Sequence, residues 1–175
     1  MFLGEDIEAQ PGLISLLPQV RDAVRVPVVA AGGIADGRGI AAAFALGANA
    51  IQIGTAYLRA PEASISPIHR MALERARDDA TRLTNVFTGR PARALLNRFV
   101  AEIGPMCSDA PAFPQASRAV APLREAAENR GRSDFSPLWA GETASLAKNE
   151  NAEALTLRLW TEARATMSSL GRWTG

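Results

Sequence analysis

The sequence is 175 residues long, 47% hydrophobic and 21% charged, with a formal net charge of +1. That balance suits a globular region and gives no charge excess to recruit nucleic acid or an anionic membrane. Cys107 is the only cysteine, which excludes an internal disulfide and a cysteine metal cluster and fits a reducing compartment; no metal site is expected.

Residues 1–10 read as an acidic loop with Glu5, Asp6 and Glu8, without the basic and apolar regions of a secretion signal, so a cytoplasmic location is expected. Pro11 suits the opening turn of a helix. Leu13, Leu16, Leu17, Val20 and Val24 then share one face, and the chain runs almost without linker into a strand over Val26 to Ala31.

That strand ends in Ala31-Gly32-Gly33-Ile34-Ala35-Asp36, where Asp36 is expected to cap the next helix. Ile40, Ala43, Phe44 and Gly47 keep helical spacing, and Ala50 to Ile53 forms a second short apolar strand ending in Gly54-Thr55. The apolar run from Ile40 to Leu58 is about as long as a membrane span. Gly47, Asn49 and Gln52 argue against insertion, and a helix followed by a buried strand accounts for the run.

Two apolar strands, each ending in glycine and followed by a helix, make a phosphate cradle from backbone amides, with no lysine required. A (β/α)8 TIM barrel often carries its phosphate site in the loops after strands seven and eight, and these units match that pair. Such barrels take about 250 residues, and two parallel strands cannot close one. The expected fold is therefore α/β: the C-terminal portion of a barrel over residues 1–80 and a mainly helical extension over 81–175. Met1 is expected to interrupt a longer coding sequence. Open strands bearing Val28, Val29, Ile51 and Ile53 point to self-association or to a separately supplied amino-terminal half.

Ile68 to Asp79 reads as a helix with Met71, Leu73 and Ala76 inward. Residues 84–103 combine a turn with Arg90, Arg93 and Arg98, but no aromatic platform or second basic cluster makes this a nucleic-acid surface. Gly104 to Gln115 is a proline-rich crossing loop, with Cys107 as filler. Residues 119–130 form a helix ended by Gly131, and Ser136 to Glu142 forms a second loop. The last helix runs from Asn151 to Met167 with Leu155, Leu159 and Ala163 on one face.

The glycine segment, Gln52-Ile53-Gly54-Thr55, Thr88-Gly89-Arg90-Pro91-Ala92-Arg93 and Trp139-Ala140-Gly141 occur in that order. Together they make the chain resemble the nitronate monooxygenases, formerly called 2-nitropropane dioxygenases, along nearly its whole length. The resemblance implies FMN as cofactor, with the flavin phosphate held by Gly33 and by Gln52, Ile53, Gly54 and Thr55, and Ala31 and Gly32 as neighbours. It implies oxidation of a nitronate or nitroalkane with O2 to a carbonyl compound and nitrite. The family's catalytic histidine belongs to a Gly-His-Arg-Gly segment expected just before Phe2, upstream of Met1. His69, the sole histidine, is expected at a helix start or surface rather than in catalysis, and turnover by the isolated chain is not expected. An FMN-dependent enoyl-acyl carrier protein reductase is a second enzyme reading. A non-catalytic remnant or half-barrel is a third.

Overall fold

A computed structural model describes residue 7 and residues 9–174, so the acidic stretch of Glu5, Asp6 and Glu8 and the segment around Phe2 lie outside the described residues. The fold is α/β and separates into two compact units. One joins Pro11–Ser64 with Leu146–Gly175, and the other gathers Ile65–Ser145 with the described residues before Pro11. The last helix belongs to the first unit because Leu155, Leu159 and Ala163 share its core.

In the first unit, α1 (Leu13–Ala23) leads to β1 (Val29–Ala31), α2 (Gly37–Ala45) and β2 (Ala50–Gln52). The strands pair in parallel with Val29 opposite Ala50 and Ala31 opposite Gln52. Asn49 extends this pairing at the entry end: the Val28 N–H donates to its Oδ1 at 2.9 Å and its own N–H donates to the Val28 carbonyl at 2.8 Å. The strand expected from Val26 thus starts three residues later. Only Leu17 of α1 is buried, and Leu16 lies exposed.

α6 (Ala152–Leu170) belongs to the same unit and packs on α2. Its N-cap is Asn151, whose Oδ1 accepts the Ala154 N–H at 2.7 Å. Leu155, Leu159 and Ala163 form the expected buried stripe and join Leu17, Ala30, Ile34, Ile40 and Ala43 in one core. Leu157 and Trp160 stay exposed. Parallel sheets are normally covered on both faces, yet Val29 is 55% exposed within this unit.

The second unit contains α3 (Pro67–Glu74), β3 (Thr81–Thr84), β4 (Ala92–Leu95), α4 (Arg98–Ile103) and α5 (Gln115–Glu128). α3 stops at Glu74 instead of reaching Asp79: past Leu73 the inward face offers only Ala76, and two aspartates would sit at the negative end of the helix. The stretch around Thr84 is part of an antiparallel pair, Thr81 opposite Leu95 and Thr84 opposite Ala92. Trp139 adds a bridge to Ala94, so the segment expected as a plain loop extends this sheet. Val86, Phe87, Ala94, Val100 and Val120 form the core, with Phe99, Cys107, Phe135 and Trp139 packed against it.

Arg90, Arg93 and Arg98 are each engaged within the chain. Arg90 lies over the Phe113 ring at 5.1 Å, Arg93 pairs with Glu142 at 2.7 Å, and Arg98 pairs with Glu102 at 2.8 Å. Among the described residues, no helix is long and apolar enough to cross a membrane.

Candidate functional site

Parallel pairing brings the carboxyl ends of β1 and β2 out side by side, since Ala31 stands opposite Gln52. The residues expected to hold a phosphate are thereby gathered at one end of one small sheet. Ala31, Gly32, Gly33, Gln52 and Gly54 are exposed there, while Ile53 and Thr55 are half-buried.

Gly33 has φ +66°, in the left-handed region that favours glycine. A Cβ built at Gly33 or at Gly54 would meet nothing within 4 Å. Open space therefore lies before both turns, and their backbones are accessible to a ligand. Ile34 and Ala35, 7% and 2% exposed, anchor the first loop in the core immediately beyond Gly33. The second leads into a 3-10 turn over Thr55–Arg59, held by Tyr57 Oη against Thr156 Oγ1 at 2.8 Å and by Arg59 donating to the Ala147 carbonyl at 2.7 Å.

Asp36 caps α2 as its position suggests, its Oδ1 accepting the Gly39 N–H at 3.0 Å. Burial alone would raise the Asp36 pKa, but Arg38 and the Gly39 N–H hold it below the ordinary value. A second carboxylate reaches the same turn: the Gly37 N–H donates to Glu162 Oε2 at 3.2 Å. Glu162 Oε1 accepts from Arg158 Nη1 at 2.9 Å, and Arg158 Nε donates to Glu150 at 2.8 and 3.1 Å. The pKa of Glu162 is lowered as well, since Arg158 and the Gly37 N–H outweigh the opposing effect of burial. This network is absent from the sequence reading. Its one local signal is the i,i+4 spacing of Arg158 and Glu162.

His69 and Cys107, the sole histidine and sole cysteine, both belong to the other unit. His69 is half-buried near the start of α3, and its Nε2 lies 3.1 Å from the Trp139 carbonyl oxygen. A carbonyl only accepts, so Nε2 carries the proton and donates. Burial lowers the His69 pKa, with partial opposition from that hydrogen bond. Among the described residues no group of three or more histidine, cysteine or acidic side chains is gathered as a metal site would require.

Residues 3–162 match the family described as nitronate monooxygenase. A probable nitronate monooxygenase of Staphylococcus saprophyticus is 36% identical over 157 residues, covering 90% of this chain and 44% of that protein. The solved structure of a nitroalkane oxidase from Streptomyces ansochromogenes superposes with a TM-score of 0.87 at 45% identity, over 95% of this chain and 48% of that one. FabK from Thermotoga maritima gives a TM-score of 0.80 at 31% identity, over 94% of this chain and 53% of that one.

Proposed function

Because the chain belongs to the nitronate monooxygenase family, we propose that it furnishes the phosphate-holding part of an FMN-dependent enzyme that oxidises nitronates or nitroalkanes with O2. The observation that carries this reading is the side-by-side emergence of the Gly33 and Gly54 turns into open space. The chain spans 44% of the length of the Staphylococcus saprophyticus relative. The reading therefore assigns it one portion of a (β/α)8 barrel, with strands seven and eight in β1 and β2.

In this reading the phosphate is held by Gly33 and by Gln52, Ile53, Gly54 and Thr55, with Ala31 and Gly32 as neighbours. Neutral loop amides suit an anion because they need no counter-charge and glycine permits close approach. When bound, FMN supplies the redox chemistry of the oxidation. His69 takes no step: its Nε2–H is committed to the Trp139 carbonyl. The base that removes the proton beside a nitro group comes from outside these 175 residues, as do the barrel strands that cover the exposed face of β1. A cytoplasmic setting, with a second copy or an amino-terminal half as the completing partner, belongs to the same proposal.

The test is to supply the amino-terminal half in trans and measure oxygen uptake and nitrite release with a small nitronate and FMN. Flavin-dependent turnover without any nicotinamide is the expected result, and it is unchanged by His69→Ala. Activity confined to NADH or NADPH oxidation with an enoyl thioester would replace this reading with a reductase. Failure to bind FMN or turn over either substrate would favour a non-catalytic remnant.

A further inference from the structure

α6 approaches the start of α2 more closely than any side chain would allow: a Cβ at Gly37 would lie 2.3 Å from Glu162 Cβ and 2.4 Å from the Ala163 backbone nitrogen. At that crossing the Glu162 carboxylate takes the Gly37 N–H, and Arg158, itself held by Glu150, fixes the other carboxylate oxygen. The Gly39 N–H is taken by Asp36. Two donors of the first turn of α2 thus face carboxylates of the chain itself, and the positive end of the helix is partly neutralised before any ligand arrives. Arg38 and Lys148 are the further charged groups beside these carboxylates.

We propose that Glu162 is a positioning residue for the flavin phosphate, holding the far end of the glycine loop through Gly37 while its charge limits how tightly that loop binds an anion. The proposal rests on the FMN reading above. It separates two effects of one side chain. The hydrogen bond orders the loop that begins at Gly32, and the negative charge, four residues along from Gly33, opposes a phosphate placed there.

The experiment compares FMN with riboflavin, which has the same ring and ribityl chain but no phosphate. Both are titrated into the 175-residue chain supplied with the amino-terminal half in trans and followed by the amide chemical shifts of Gly33 and Gly54, which read even weak binding. Glu162→Gln keeps an acceptor oxygen and removes the charge, so FMN should tighten about threefold while riboflavin is unchanged. Glu162→Ala loses the charge and the brace together, so it should bind FMN about fivefold more weakly than Glu162→Gln does, again without a change for riboflavin. Amide exchange of Gly37 in the flavin-free chain should accelerate in Glu162→Ala and stay slow in Glu162→Gln. Equal shifts for FMN and riboflavin in both variants, or unaltered Gly37 exchange in Glu162→Ala, would overturn the proposal. Absence of FMN binding even with the amino-terminal half present overturns the FMN reading and this role with it, and the Gly37 exchange rates tell that failure from failure of the brace.

Discussion

Asn85 and Cys107 are joined by two hydrogen bonds that use only the backbone of the cysteine. Asn85 Nδ2 donates to the Cys107 carbonyl at 2.9 Å, and the Cys107 N–H donates to Asn85 Oδ1 at 2.9 Å. A side-chain amide thereby imitates one rung of a β-ladder and ties the segment after β3 to the proline-rich crossing segment. The thiol takes no part in that tie and packs beside the Phe87 core.

Asn85→Ala removes both bonds and leaves partly buried backbone groups unpaired, an expected loss of about 2 kcal/mol. Cys107→Ala keeps the tie and should cost under about 1 kcal/mol. Chemical denaturation of both variants checks the difference, and equal losses would contradict it.

Gly33→Val and Gly54→Val should both weaken FMN binding, since each puts a branched side chain into the open space before its turn. Their effects on folding should differ. Gly33 has φ +66°, and a β-branched residue there costs about 1–2 kcal/mol, whereas Gly54 has φ −104°, a value open to any residue. Thermal melts should therefore show a loss for Gly33→Val and little change for Gly54→Val.

Gly37→Ala should destabilise the unit that contains α2 and α6. The added methyl meets the backbone of α6 rather than a flexible side-chain end, and overpacking of this kind costs about 1–3 kcal/mol. Hydrogen exchange should quicken along α2 and α6 while α5 is unaffected.

Burial lowers the His69 pKa from its usual 6.5, so the unfolded chain binds this proton more readily than the folded chain. The resulting contribution to stability is complete above the unfolded value and declines as pH falls from there toward the lower folded one. His69→Gln retains a donor for the Trp139 carbonyl without titrating. Melting temperatures between about pH 7 and about pH 5 should fall more steeply for the unsubstituted chain than for this variant. Parallel curves would refute the assignment.

Features governed by nearby residues were legible in the sequence. Asp36 was readable as a cap because its partner, Gly39, is three residues away, and Leu155, Leu159 and Ala163 announced a buried helix face by their spacing. The Gly32-Gly33 turn was readable because its positive φ angles are a local need. The pairing of β3 with β4 was not: each strand has four residues, too few for a clear alternation, and their connection is longer than the usual hairpin loop. Trp139 gave no strand signal because one bridge to Ala94 is all it contributes. The bond between Gly37 and Glu162 spans 125 positions, and no periodicity reports a contact of that range.

That same long span orders events during synthesis. Ile65–Ser145 is continuous in the chain and can gather its core as soon as it leaves the ribosome. The strands carrying the glycine turns emerge earlier but gain Leu155, Leu159 and Ala163 only after the intervening unit has been made. The strands of the glycine turns are thus finished later than the unit that follows them in the chain, and until α6 arrives Ala30, Ile34 and Ile40 lack its covering side chains.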